Sequence, residues 1–398
     1  MAAYSNSLLS TYEQCPLKYK LRYRDKIKRD FETAERFLGK MIHFTLRKCY
    51  DDYRFDRDIN LDGLLNYFIS LWEHRWNDSI MIMNKDKTQE DYKLYGKEML
   101  GNYYQHYSPF DSDLTIDTEL PVSFFLDDTH KYRMIGYIDR LSKTPDGVVQ
   151  IHDYKTSVKL AGQAEVDADR QLALYQIGVQ QRWPDFKNIQ LIWHYLSFDK
   201  ELVSSRNQED IHELAKNTIS LIDEIETTTD FSPRESGLCD WCEYPDLCPM
   251  RKHHEKVKSL MNSEYVNEPG VILVDKYSFL KNMVGSKDIE IEKAKIALLE
   301  YARREGIRVV RGSEYQVRIK PVEKLILPGK NEIQRKELEN MIYETGKWEK
   351  VFQTGITSLA GVVDNKLYSN ELVEEVMKQG INETDDVIQI SKIKGKEK

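Results

Sequence analysis

The sequence predicts an α/β protein, a mixed sheet with helices packed on it. Runs rich in β-branched and aromatic residues recur at 114–126, 134–141, 148–155 and 188–197. Segments with apolar residues at helical spacing lie before, between and after them. The resulting order of helix, strand, strand, strand, helix, strand is that of an α/β core with a mixed sheet.

Taken in order, the first 30 residues place Leu8, Leu9, Tyr12, Cys15 and Tyr19 at helical spacing, interrupted by Pro16. From Lys18 to Arg29 seven Lys/Arg stand against one acid, with Tyr19 and Tyr23 among them. Such a strip is either a solvated helix face or a track for phosphates with aromatics for bases. Residues 33–53 read as a helix carrying Phe37, Met41 and His43. Residues 61–107 are helical in pattern, with Trp72 and Trp76, and read as an insertion that covers or gates something. The strand at 114–126 holds Glu119. Residues 163–183 read as one helix with Gln171 and Tyr175 as i,i+4 neighbours, ended by Pro184. Residues 207–229 read as another helix, capped by Asn207. A linker is expected over 256–286, with Asn267-Glu268-Pro269-Gly270 as a break. An amphipathic helix follows at 287–304, then a hairpin over 307–320, helices near 331–345 and 370–379, and a frayed basic tail from 390.

The most informative stretch is the hairpin at 136–156, GYIDRLSKTPDGVVQIHDYKT. Pro145-Asp146-Gly147 marks its turn. Residues two apart on a strand share a face, so Asp153 and Lys155 point the same way. A turn centred near Asp146 sets Asp139 opposite Asp153, with Cβ atoms roughly 5 Å apart. Two carboxylates that close repel, and a divalent cation between them removes the penalty. An ordinary Asp–Lys pair on a solvated hairpin is the plainer reading of the same spacing.

Cys239, Cys242 and Cys248 follow one another as CxxC and then five residues to Cys-Pro, which is a metal-site spacing. The fourth ligand comes from Cys15, also followed by Pro, or from Cys49 in mid-helix. Four thiolates suit a [4Fe–4S] cluster or structural Zn²⁺ alike.

The chain has 398 residues, 31% charged and 40% hydrophobic, as expected of a globular protein with about two domains. Net charge is −8, which disfavours a polycationic coat but not a local basic groove. No apolar run approaches the ~20 residues of a membrane span, and the N-terminus lacks the features of a secretory signal, so a cytoplasmic protein is expected. Five cysteines then favour metal binding or free thiols over disulfides. There is no internal repeat and no GxxxxGK[ST] loop, which speaks against a motor.

Six segments in order resemble one family. Ser5-x-Ser7-Leu8-x3-Tyr12-x2-Cys15-Pro16-x2-Tyr19 resembles its opening, and Gly39-x3-His43 its first motif. Gly136-x-Ile138-Asp139-Arg140 and Asp153-Tyr154-Lys155-Thr156 resemble the next two. Gln171-x3-Tyr175 and the cysteine group closing at Cys248-Pro249 resemble the last. Together they resemble a RecB-type nuclease of the PD-(D/E)XK superfamily, in the iron–sulfur branch with the CRISPR-associated exonucleases and the AddB nuclease domain.

The resemblance implies a restriction-endonuclease-like core, and residues 1–262 as the nuclease domain with 61–107 inserted. Residues 263–398, which match nothing in the family, are then an α+β accessory domain. It implies Mg²⁺ or Mn²⁺ held by His43, Asp139, Asp153 and the Tyr154 carbonyl, with Lys155 at the attacking water. Gln171 and Tyr175 would hold the scissile phosphate and the lysine, and Glu119 would support the site from behind. For Cys15, Cys239, Cys242 and Cys248 it favours [4Fe–4S] over Zn²⁺. The expected function is a metal-dependent DNase on single-stranded or end-opened DNA in repair, recombination or defence, with a helicase or other subunit reached through the C-terminal domain. The alternative is a DNA-binding scaffold subunit of a larger complex.

Overall fold

The computed structural model describes residues 3–29, 32–55, 57, 60–282, 288–326, 340, 343 and 381–393. Two compact units divide the chain, Met1–Tyr244 and Pro245–Lys398, a division earlier than the sequence boundary at 262.

The first unit begins with β1 (Ala3–Tyr4), α1 (Asn6–Gln14) and α2 (Pro16–Tyr19), the two helices parted at Cys15 where Pro16 opens the second. After β2 (Glu32–Thr33) come α3 (Ala34–Arg54), α4 (Leu61–Arg75), β3 (Ile80–Met81) and α5 (Gln89–Tyr107). The strands β4 (Leu114–Phe125), β5 (Arg133–Lys143) and β6 (Val149–Lys155) follow. Then come α6 (Gln163–Ala168), α7 (Gln171–Arg182), β7 (Ile189–Tyr195), β8 (Lys200–Ser204) and α8 (Gln208–Thr227). The single helix expected over 163–183 is two, because the Asp169 carboxylate accepts the Gln171 amide at 2.7 Å and starts α7 afresh. Asn207 caps α8 as expected.

The sheet is mixed. β4–β5, β5–β6 and β7–β8 are antiparallel; β6–β7 and β1–β5 are parallel. One edge of β5 is paired with β4 along nearly its whole length. The other edge is shared: β6 takes Arg140–Lys143 and β1 takes Arg133 and Met134. Between them, 135–139 has no strand partner on that side among the described residues. The hairpin is therefore a fork, zipped from the Gly147 turn to Arg140–His152 and parted from Asp139 and Asp153 onward.

Two cores flank the sheet. Leu120, Ile138, Ile151 and Trp193 pack with Leu172, Leu174 and Val179 of α7 on one face. On the other, Phe37, Met41, Ile42 and Leu46 of α3 pack with Phe68 and Trp72 of α4 and Met99 and Leu100 of α5. The helical insertion thus supplies the second core and holds α3 against the sheet.

Much of the basic strip at 18–29 is engaged within the protein, while Lys26 and Lys28 are exposed. Lys18 and Arg22 reach Glu243 at 3.2 and 3.6 Å, Lys20 pairs with Asp25, and Arg24 lies over Phe231 and donates to the Ile225 carbonyl. The solvated-face reading is nearer than the phosphate track.

The second unit holds α9 (Lys252–Lys258), α10 (Asn262–Tyr265), α11 (Pro269–Asn282), α12 (Asp288–Glu305), β9 (Val309–Arg311), β10 (Tyr315–Ile326) and β11 (Ile381–Lys392). The linker expected over 256–286 contains α11, whose Val271 and Val274 are buried. Pro269 is its first residue, and Glu268 accepts the Val271 amide at 2.9 Å, so the apparent break is a helix start. The tail expected to fray from 390 is ordered at its start: residues 390–392 pair with 315–317 in a twelve-rung ladder, while 394–398 lie outside the described residues. The helices expected near 331–345 and 370–379 lie outside the described residues, apart from 340 and 343, which are helical.

Candidate active site

Where β5 and β6 part, the backbone leaves polar groups without ladder partners, and side chains take their place. Asp139 Oδ2 accepts the Tyr154 amide at 2.8 Å. His43, brought in by α3, sets Nε2 at 2.9 Å from the Tyr154 carbonyl and Nδ1 at 3.3 Å from Asp139 Oδ1. Glu119 Oε1 stands 3.9 Å from the same Nδ1.

Glu119 is reached by an unusual route. Its φ is +47°, left-handed backbone inside a strand. Leu120 and Ile138 belong to the α7 core, yet Thr118 bonds Asp51 of α3 and Arg140 lies over Tyr50 of α3. Strict alternation would put 118 and 120 on one face. The switch at 119 and 139 turns both acids into the opening. Sequence reading gave Glu119 only a supporting place; its carboxylate lies with His43 and Asp139 in one group whose ligand atoms are within 4.8 Å of one another.

The other half of the site rests on α7. Lys155 Nζ lies 2.7 Å from Asp153 Oδ2 and donates to Gln171 Oε1 at 3.2 Å, while Gln171 Nε2 donates to Asp153 Oδ1 at 2.9 Å. This closed triangle fixes all three side chains. Asp153 Oδ2 is buried and, beyond the lysine charge, has no aligned hydrogen-bond donor. The Tyr175 ring lies against Gly136, where a Cβ would come within 2.4 Å of it, and its hydroxyl meets the Tyr137 amide and Gln171.

Charge follows from this packing. Burial lowers the His43 pKa, but the Asp139 charge and hydrogen bond, the Asp153 charge and the Tyr154 carbonyl outweigh it and lift it to about 9. Burial raises Asp153 despite Lys155, with Asp139 adding to the rise, and burial and Asp139 raise Glu119. Burial lowers Lys155, but Asp153 reverses this and holds it as a cation. Burial and the nearby acids push Tyr175 up to about 12, so it is a neutral phenol.

The donor types fit a hard divalent cation. His43, Glu119 and Asp139 offer one imidazole and two carboxylates with ligand atoms within 4.8 Å of one another, and the buried Asp153 Oδ2 nearby is short of donors. Octahedral Mg²⁺ at about 2.1 Å separates neighbouring ligands by roughly 3 Å and opposite ones by roughly 4 Å, close to the spread of those three.

The structure brings His43, Asp139, Asp153, Tyr154, Lys155, Gln171 and Tyr175 to one fork, with Glu119. Cys15, Cys239 and Cys242 lie elsewhere in the unit, none of them in a disulfide. The turn carrying Cys239 and Cys242 is docked on the N-terminal helices: Arg234 donates to the Glu13 carbonyl, and Tyr244 to the Ile27 carbonyl at 2.8 Å. Burial raises the Cys242 thiol pKa, and Cys15 is close enough to contribute. Cys248 falls in the second unit. Cys49 is buried in the α3 core.

Comparison with known proteins adds a family. The model of the PD-(D/E)XK nuclease superfamily matches residues 3–249. No curated protein matches the chain. Among solved structures, a candidate exonuclease from Eubacterium rectale aligns at 12% identity over 61% of this chain and 87% of its own, with a TM-score of 0.38. The protein SSO0001 aligns at 18% identity over 54% and 98%, with a TM-score of 0.26. The family match spans more than half the chain and encloses every residue of the fork, and the chain belongs to the PD-(D/E)XK nuclease superfamily.

Proposed function

We propose that this nuclease is a Mg²⁺- or Mn²⁺-dependent deoxyribonuclease that cuts single-stranded or end-opened DNA, from ends and also internally. The observation that supports this most is the fork itself, with His43, Glu119 and Asp139 on one side and the Asp153–Lys155–Gln171 triangle on the other. His43, Asp139, Asp153 and the Tyr154 carbonyl would hold the metal, joined by Glu119. A bound divalent ion supplies a water that ionises near neutral pH and a counter-charge for the phosphate. Gln171 keeps the Asp153 carboxylate turned into the opening. The Lys155 ammonium orients the water and offsets charge developing on phosphate. Tyr175, as a neutral phenol, donates to a phosphate oxygen or to its neighbours.

We further propose that Cys15, Cys239, Cys242 and Cys248 share a [4Fe–4S] cluster, as in RecB-type nucleases of the iron–sulfur branch. The docking of 234–244 on 13–27 supports the first three, and Cys248 enters on its spacing. In this reading residues 1–262 are the nuclease domain and 263–398 an accessory domain that docks a helicase or another subunit of a cytoplasmic repair or defence system.

The test uses anaerobically purified wild type and Lys155→Ala with labelled single- and double-stranded DNA in Mg²⁺, Mn²⁺ or EDTA. Cutting by wild type alone, and only with metal, is expected. Tight binding without metal-dependent cutting by either protein would favour a scaffold subunit instead. Cys248→Ala should lose brown colour, bound iron and cooperative folding together; loss of iron with full stability and cutting would remove the structural role of the cluster.

A further inference from the structure

Beyond the carboxylates the β4–β5 ladder continues with an uncovered face. Glu119 stands opposite Asp139, between the paired rungs Thr118–Arg140 and Leu120–Ile138. The next outward rungs are Pro121–Tyr137 and Ser123–Ile135. Gly136 and Ile138 face α7, as the Tyr175 ring against Gly136 shows. By alternation Tyr137 and Ile135 face the other way. Among the described residues that side is open: Tyr137 is 63% exposed and Ile135 39%, with Pro121 and Ser123 exposed beside them.

An exposed tyrosine on a strand is ordinary in itself. Three features distinguish this one. It lies two residues from Asp139, so its Cα is about 7 Å along the strand from the acid that would hold the metal. Its strand is packed from behind, because the neighbouring Gly136 lies directly against the Tyr175 ring. It also lies in the stretch 135–139, whose second edge has no strand among the described residues, so the opening at the fork runs past it.

We propose that Tyr137 is the stacking platform for the nucleobase next to the scissile phosphate, and that the substrate is therefore a single strand or a frayed end. This rests on the nuclease reading above. An extended strand whose phosphate sits at the fork carries its neighbouring base about one ladder rung away. A phenol ring stacks on any base face, so the contact tolerates all sequences. A base inside a duplex already has stacking partners on both faces and gains nothing from Tyr137. Ile135 and Pro121 flank the ring and extend the apolar surface for the same base.

The experiment compares wild type, Tyr137→Ala and Tyr137→Phe. Fluorescence anisotropy reads binding of labelled oligothymidylate with Ca²⁺ in place of Mg²⁺, and steady-state cutting with Mn²⁺ gives KM and kcat. Tyr137→Ala is expected to weaken binding and raise KM roughly tenfold, the effect of losing one stacked base, with kcat and thermal stability little changed. Tyr137→Phe should match wild type. Oligonucleotides with one abasic position, moved along the strand, should show a single position at which wild type and Tyr137→Ala become equal. Unchanged affinity in Tyr137→Ala, or a loss that persists at every abasic position, overturns the platform. Wild type that neither binds nor cuts DNA overturns the nuclease reading, and this inference with it. Wild type that cuts while Tyr137→Ala behaves identically overturns the platform alone.

Discussion

Glu119 shows how one residue's backbone shapes the site. A non-glycine at φ +47° costs about 1–2 kcal/mol. Glu119→Gly should therefore melt no lower than wild type, yet bind Mn²⁺ at least tenfold more weakly by calorimetry; Glu119→Gln should lose affinity without any gain in stability. Gly136 carries the opposite constraint. A methyl there meets the Tyr175 ring at 2.4 Å, so Gly136→Ala should cost about 1–3 kcal/mol in denaturant melts and impair cutting as Tyr175 shifts. In the second unit Glu268 receives His253 at 3.1 Å, Lys256 at 3.0 Å, the Val271 amide and the Tyr301 hydroxyl. Burial raises its pKa, but these partners outweigh burial and bring it to about 2. The unfolded value is near 4.5, so its stabilisation, roughly 3 kcal/mol, is complete above that pH and fades as pH falls toward 2. Acid titration of unit stability should lose this dependence in Glu268→Gln, which will also be less stable at neutral pH. Residue types were legible before the fold: Asp139, Asp153 and Lys155 follow from the period of two. Glu119 escaped because no pattern marks a left-handed glutamate within a strand.

Elements were legible where local chemistry and tertiary demand agree. Thr33, Thr88 and Asn207 cap their helices as side chains of these types do, and the Pro-Asp-Gly turn closes its hairpin. α11 was missed because Asn-Glu-Pro-Gly also spells a turn; packing of Val271 and Val274 decides for helix. α6 and α7 merged in the sequence because Asp169 caps through its side chain without any Gly or Pro to announce it. The fork was half legible: the spacing that opposes Asp139 to Asp153 is in the sequence, whereas the end of the ladder at Arg140–His152 is not. Arg140 anchors that last rung. It is 2% exposed, pairs with Asp113 at 2.7 and 2.9 Å, and lies over Tyr50. Arg140→Met should cost about 3–5 kcal/mol because the Asp113 carboxylate, its side chain 8% exposed, loses its counter-charge and keeps only the Ser142 hydroxyl. Adding Asp113→Asn should recover much of it, a coupling that a double-mutant cycle in urea reads directly.

At the scale of the whole molecule, the family match covers residues 3–249 and the second unit stands outside it. That unit has its own core, in which Val274, Leu298, Val317 and Ile319 pack with Ile388 and Ile390 of β11. Its existence was legible from amphipathic periodicity over 287–304, but the partner of β10 was not, because Asn382, Glu383, Thr384, Asp385 and Asp386 open β11 with a polar, acidic run that carries little strand signal. Ending the chain at residue 380 should strip hydrogen-exchange protection from β10 and leave β4–β7 protected; metal-dependent cutting that survives would mark the second unit as dispensable for chemistry. The β10–β11 ladder also sets a schedule. All strands of the nuclease sheet have been made by Ser204, and pair with neighbours close in the chain or with β1. β10 instead waits for residues beyond 380, and synthesis of 327–380 takes roughly 3–11 s at about 5–20 residues per second. During that interval the long outer edge of β10 is bare, and the growing chain is most exposed to mispairing after its nuclease sheet has already been made.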